Sequence, residues 1–352
     1  MVDDNYFKRV QKETPTQFFC DIASIESLER AVNWGAVGAT SNPPRVSRTV
    51  RSDPEHWQKE VKRILSHHPR LPDEESVDLL TRAVVKRASE VLLPVYTSTK
   101  GQMGYLSMQG SPREYTDLDV LISKAKQYAK IAPNIAVKIP IHGEGLQAIE
   151  ELAAGGINIT ATTGYSVSQC MAAAEAHLRG LNRSGNSKPA SRCLVVIVVG
   201  RLDAHFYNCI AEKNLTIPQE LVDQAGIAVA KKIYRLLKEH SLPSMLLSAG
   251  ARRPEHFTDF VGGKMGVTIG PPIQKELIKL NVPVISCIED FPASEVIGEL
   301  RQKLPDYCRA YDEDGLSAEQ MRNFGPCLKL EQYFNDGFND LMDFVHSFRE
   351  RN

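Results

Sequence analysis

The chain has 352 residues with 42 Lys+Arg against 43 Asp+Glu, a net charge of −1. Near-neutrality argues against a nucleic-acid partner, which would favour a basic excess. The 42% hydrophobic and 24% charged content is ordinary globular usage and excludes disorder as the main state. Apolar runs such as Cys193 to Gly200 fall far short of the ~20 residues of a membrane span. The first twenty residues are polar and charged and predict no signal peptide. Seven dispersed cysteines without a Cys-x-x-Cys pair fit reduced thiols in the cytoplasm, not a disulfide framework or a zinc site.

Apolar, β-branched runs predict strands at Gln17–Ile22, Ala36–Asn42, Tyr105–Gln109, Asn134–Pro140, Ile157–Thr162, Cys193–Arg201, Met245–Gly250 and Met265–Gly270. A further apolar stretch, Val91–Tyr96, either belongs to the third or stands alone. Helix-period segments separate the strands at Ser24–Trp34, Leu118–Ile131, Glu144–Ala154, Ser166–Leu181 and Pro218–Glu239. Strand–helix alternation signals parallel βαβ units. Eight of them over roughly 250 residues predict a closed (β/α)8 TIM barrel. No Gly-x-Gly-x-x-Gly follows the first strand, which weakens a dinucleotide-binding reading.

Two segments exceed a minimal barrel. Residues 43–92 form a charged helical insertion after the second strand, with Asp53-Pro54-Glu55 as a helix start. The last residues, from Pro292, form a helical extension with Tyr333, Phe334, Phe338, Phe344 and Phe348 in one helix. That helix either packs on the barrel or serves as a lid or an oligomer contact. The division expected is therefore a barrel domain over 1–290, insertion included, and an extension over 291–352. Asn182–Ser191 predicts a polar surface loop.

Lys138 sits in the middle of an apolar strand, NIAVKIP, where lysine is rarely buried unpaired. Alternation puts Ala136, Lys138 and Pro140 on one face, pointing into the lumen. A desolvated lysine has a lowered pKa, so its neutral amine can attack a carbonyl. Snorkelling to the barrel mouth toward a carboxylate is the competing reading. Polar residues recur at other strand ends, where barrel active sites form. They are Asp21, Thr40 and Asn42, Ser107 and Gln109, Asn158 and Thr160, Arg201, and Arg252 after the seventh strand. A cap, a turn or a surface charge explains any one of them singly. Cys20 should face away from Asp21. His142-Gly143-Glu144 lacks a third metal ligand, and Gly270-Pro271-Pro272 is either a phosphate loop or a plain turn.

These strand-end segments resemble the transaldolase family, Schiff-base aldolase barrels with the lysine on the fourth strand. The matching pieces are DIASIESLERAVNWGAVGATSNP (21–43), GYLSMQG (104–110), NIAVKIP (134–140), GEGLQAIEELAAGGINITAT (143–162), VGRLDA (199–204) and AGARRPEHF (249–257). The resemblance implies Lys138 as the imine-forming residue and Asp21 as acid/base. It implies Thr160, with a water, as proton shuttle and Asn158 as its companion. Asn42 would bind substrate hydroxyls, and Arg201 with Arg252 would hold a phosphate. Gln109 stands where sugar-phosphate transaldolases carry a glutamate, as in the related fructose-6-phosphate aldolases. Val196, Val198 and Gly250 replace a serine, an aromatic residue and a serine. The implied activity is aldol transfer or cleavage on a small-molecule carbonyl or sugar-phosphate substrate, with no metal or organic cofactor. A homo-oligomer is compatible with it. The alternatives are a specialised aldolase, lyase or synthase acting on a non-standard carbonyl compound, and a non-catalytic barrel binding a phosphorylated metabolite.

Overall fold

A computed structural model describes residues 4–185 and 190–349. Eight parallel strands close into a barrel in sequence order, β8 pairing back onto β1. Helix α1 (Tyr6–Glu13) precedes β1 (Gln17–Asp21), α2 (Ile25–Asn33) and β2 (Gly38–Thr40). The insertion folds as α3 (Pro43–Ser52), α4 (Pro54–His67) and α5 (Asp73–Ser98), returning to β3 (Tyr105–Met108). Then come α6 (Leu118–Tyr128), β4 (Ile135–Pro140), α7 (Gly143–Ala154), β5 (Ile159–Gly164), α8 (Val167–Ser184) and β6 (Cys193–Ile197). The barrel finishes with α9 (Val199–Glu212), α10 (Gln219–Glu239), β7 (Met245–Ser248), α11 (Glu255–Thr258), β8 (Gly266–Ile269) and α12 (Pro271–Leu280). The extension holds α13 (Ser294–Lys303), α14 (Pro305–Tyr311), α15 (Ala318–Met321) and α16 (Gly325–His346). Among the described residues no helix is long and apolar enough to cross a membrane.

Local chemistry sets the boundaries near the barrel mouth. Asn42 caps α3, its Oδ1 accepting from the Arg45 amide at 3.0 Å, and Pro43 and Pro44 fix the first turn. Asp53 caps α4 with Pro54 at its first position, as the sequence predicted. Val91–Tyr96 is not a strand. It lies inside α5, whose buried face includes Val84, Val85, Ala88 and Leu92, and the helix absorbs Pro94. The sixth strand ends at Ile197, and Val199–Arg201 open α9 instead. Gly200 explains the sharp entry, since a Cβ there would meet the Gly250 carbonyl oxygen at 2.2 Å. Helix α8 runs on to Ser184, so the expected loop starts later, and residues 186–189 lie outside the described set.

Inside the barrel, glycines at 38 and 266 leave the room that the Phe19 ring fills. Hydroxyls occupy the next level up. Thr40 and Thr268 bond at 2.9 Å, and Ser107 and Thr160 at 2.8 Å. A second apolar cluster lies outside the barrel. Val46, Val50, Trp57, Val61, Val77 and Leu80 of the insertion pack there with Phe338, Leu341 and Val345 of α16. Helix α16 approaches α3 closely because position 337 is glycine, where a Cβ would meet Pro44 N at 2.4 Å. This packing carries the start of α16 across the mouth.

Candidate active site

A cavity of about 430 Å³ opens at the C-terminal ends of the strands. Lys138 rises into it from β4 and is 8% exposed. Its strand partner in register is Thr160. Burial lowers the Lys138 ammonium to about 8; Asp21 lifts it in part and Arg45 depresses it further. A substantial fraction of the amine is therefore neutral near physiological pH.

Asp21 ends β1 on the same wall. It accepts from the Thr40 hydroxyl at 3.4 Å and pairs tightly with the Arg45 guanidinium. Its carboxylate is thus oriented between a hydroxyl and a cation. Asn42, Arg201 and Arg252 also line the cavity. Arg201 stands in the first turn of α9 and stacks over the Tyr333 ring at 4.1 Å. Val196 and Val198 form an aliphatic wall, which puts both valines on the lumen side. Leu330, Tyr333 and Phe334 of α16 also line the cavity, Tyr333 beside Arg201.

Three expected residues are not brought to this cavity. Asn158 lies at the other end of the barrel, in a separate cavity of about 290 Å³, with its Oδ1 accepting from the Arg192 amide at 3.0 Å. It precedes β5, so its place along the barrel axis is too low for a substrate in the mouth. Thr160 is fully buried and spends its hydroxyl on Ser107. Thr162, two residues on and on the same strand face, lines the cavity instead. Gln109 follows β3, which stops at Met108, and so escapes the alternation that would aim it inward. Its amide donates to the Tyr115 hydroxyl at 2.5 Å, and it lines a small separate pocket with Pro43 and Phe338.

Sequence reasoning passed over Thr162, Arg45 and Arg48, and named Tyr333 and Phe334 without placing them at the site. Thr162 was legible from strand alternation. Arg45 and Arg48 were legible as an i, i+3 pair on the helix that Asn42 caps. The two aromatic residues were not, because nothing local states where the extension docks.

Other groups stand apart. Cys20 faces away from the lumen, bonds Gln274, and burial pushes its thiol up to about 12. His142 caps α7 and meets Glu144 at 3.1 Å. The Gly270-Pro271-Pro272 turn starts α12 with two prolines that have no N–H, so it makes a poor anion cradle. His205, Cys209 and Asp306 have ligand-type atoms within 4.8 Å of one another, but they lie between α9 and α14, away from the cavity. The 2.7 Å bond from His205 to Asp306 accounts for their meeting.

The fold and site define a (β/α)8 barrel whose mouth centres on a buried, partly neutral lysine beside a carboxylate, under a rim of arginines. Residues 18–322 match the Transaldolase/Fructose-6-phosphate aldolase family, and the chain belongs to that family. It is 29% identical over 223 residues to "Transaldolase 1" of Streptomyces avermitilis, covering 62% of this chain and 58% of that protein. It is 27% identical over 210 residues to the "Transaldolase" of Thiobacillus denitrificans, covering 58% of each. It is 26% identical over 213 residues to the "Transaldolase" of Neisseria gonorrhoeae, covering 59% of this chain and 58% of that one. The match thus spans less than two thirds of these curated relatives.

Proposed function

We propose that this protein carries out class I aldol chemistry on a phosphorylated ketose or a related carbonyl compound. The observation that carries this reading is Lys138, buried at the cavity floor with an amine that titrates near 8. A binding protein gains nothing from a lysine held in that state, whereas a nucleophile needs it.

In this reading the Lys138 amine adds to the carbonyl carbon, and the carbinolamine loses water to give a protonated imine. The Thr162 hydroxyl, on the cavity wall, moves the protons of this step. Thr160, bonded to Ser107, stands in register beside the lysine on the neighbouring strand. Asp21 removes the proton of the hydroxyl beyond the bond to be broken. That carbon–carbon bond cleaves, its electron pair flows into the imine, and an aldehyde departs. The enamine left on Lys138 adds to an acceptor aldehyde, which is transfer, or is protonated and hydrolysed, which is lyase action. Arg45 orients Asp21, Asn42 contacts substrate hydroxyls, and Arg201 with Arg252 takes the phosphate. Guanidinium forks suit phosphate oxygens.

The aliphatic wall of Val196 and Val198 favours a substrate with fewer hydroxyls on that side. A buried hydroxyl left unpaired there costs about 1–3 kcal/mol. Slow turnover of standard sugar phosphates is therefore expected. The dispersed free cysteines suit a reducing, cytoplasmic setting.

Borohydride reduction in the presence of fructose 6-phosphate tests the reading. A mass increase on the peptide containing Lys138 is expected, and none in Lys138→Ala or Lys138→Arg. An adduct on another residue, or undiminished turnover in Lys138→Ala, would overturn it.

A further inference from the structure

The charge of the cavity exceeds what one phosphate requires. Its walls bring together Arg45, Arg48, Arg201 and Arg252 with a single carboxylate, Asp21, and Arg45 takes that carboxylate. Among the described residues the guanidinium groups of Arg48, Arg201 and Arg252 have no acidic partner. Arg201 rests on an aromatic ring instead. Arg48 and Arg252 are exposed and partly solvated, while Arg201 is half-buried, and together the three raise the positive potential at the mouth and favour anions there. A phosphate dianion between Arg201 and Arg252 offsets two of them. Arg48 is left over.

The placement of the surplus charge is informative. Arg201 and Arg252 follow β6 and β7, whereas Arg48 stands on α3, which follows β2. In a ring of eight strands in sequence order, β2 lies opposite β6, and β4 with Lys138 falls midway between them. An anion at each side of the mouth would thus flank a carbonyl held at Lys138. Arg48 also differs from its neighbour one turn on. Arg51 finds Asp340 of α16 at 3.5 Å, the ordinary way of settling a surface arginine. The start of α12 makes a weaker anion site, because Pro271 and Pro272 offer no N–H.

We infer that the substrate carries an anionic group on each side of its carbonyl, with Arg48 holding the second one. The shared chemistry is a doubly anionic carbonyl compound, either a ketose bisphosphate or a phosphorylated 2-oxo acid. This rests on the reading in which Lys138 attacks the carbonyl and Arg201 with Arg252 holds a phosphate.

Binding is measured by calorimetry in the Lys138→Met protein, which forms no imine, so that affinity is read apart from chemistry. The probes are fructose 6-phosphate, fructose 1,6-bisphosphate and 2-keto-3-deoxy-6-phosphogluconate. At least one doubly anionic probe should bind about fivefold or more tightly than fructose 6-phosphate. That preference should vanish in Lys138→Met/Arg48→Gln and shrink as salt rises from about 0.05 to about 0.5 M. Which probe gains tells phosphate from carboxylate as the second anion. A smaller preference, or one that survives Arg48→Gln, overturns the inference. Borohydride trapping of the wild-type protein by fructose 6-phosphate separates the two failures. An adduct on Lys138 without any doubly anionic preference removes this inference alone. A preference without an adduct removes the lysine mechanism instead.

Discussion

Replacing Lys138 by Met should make the protein more stable at neutral pH while abolishing imine formation. Met keeps the length of the lysine stem and fills the same space between Ala136 and Pro140 without the charge. The Lys138 pKa falls from 10.5 to about 8, mainly through burial. A difference of that size corresponds to about 3 kcal/mol of penalty on the charged form in the folded state. The sign follows from proton binding. Between about 8 and 10.5 the unfolded chain binds more protons at this lysine than the folded one, so stability from this group rises with pH across that window. The penalty is complete below about 8 and is relieved as pH approaches 10.5. Lys138→Met should therefore exceed the wild type by up to about 3 kcal/mol at pH 7, with the gap shrinking at pH 10. Urea unfolding of both proteins at pH 7 and pH 10 measures this, as a midpoint shift of up to about 1 M at neutral pH. The other alkaline groups are common to both proteins and cancel. A variant no more stable than wild type at pH 7, or a gap that ignores pH, would refute the claim that the lysine is held desolvated.

Arg201→Ala and Arg252→Ala should each raise KM about tenfold or more while kcat falls much less, because in the proposed reading they hold a phosphate away from the bond that breaks. Steady-state kinetics with a phosphorylated ketose checks this, and an equal loss in kcat would assign the arginines to the chemical step instead. Gly337→Ala should destabilise the protein by about 1–3 kcal/mol through overpacking, since its Cβ would sit 2.4 Å from Pro44 N. The same change should raise KM, because α16 carries Tyr333 and Phe334 to the cavity. Thermal unfolding and KM are the two readouts, and an unchanged melting temperature would show that α16 stands off α3 more freely than its packing implies.

The sequence by itself determined the elements whose causes are local. Alternation in NIAVKIP aimed Lys138 inward, and its burial bears that out. The eight apolar runs each hold a strand, and Asp53-Pro54 opens a helix where capping chemistry requires one. Local reading failed where local signals conflict or stop. Val91–Tyr96 has the composition of a strand, but the packing of a 26-residue helix overrode it. Gly200 turned the end of an apolar run into a helix, because its backbone had to approach Gly250. Asn158 and Thr160 have the right residue types on the right strand at the wrong height, and height along a barrel axis depends on the stagger of neighbouring strands. Only the tertiary structure decided that Asp21 is held by Arg45 of α3, a helix that follows the neighbouring strand β2. It also decided that α16, more than three hundred residues along the chain, walls the cavity. The physical reason is that the docking of the extension depends on a gap no local pattern encodes: the missing side chain at 337 against the ring of Pro44.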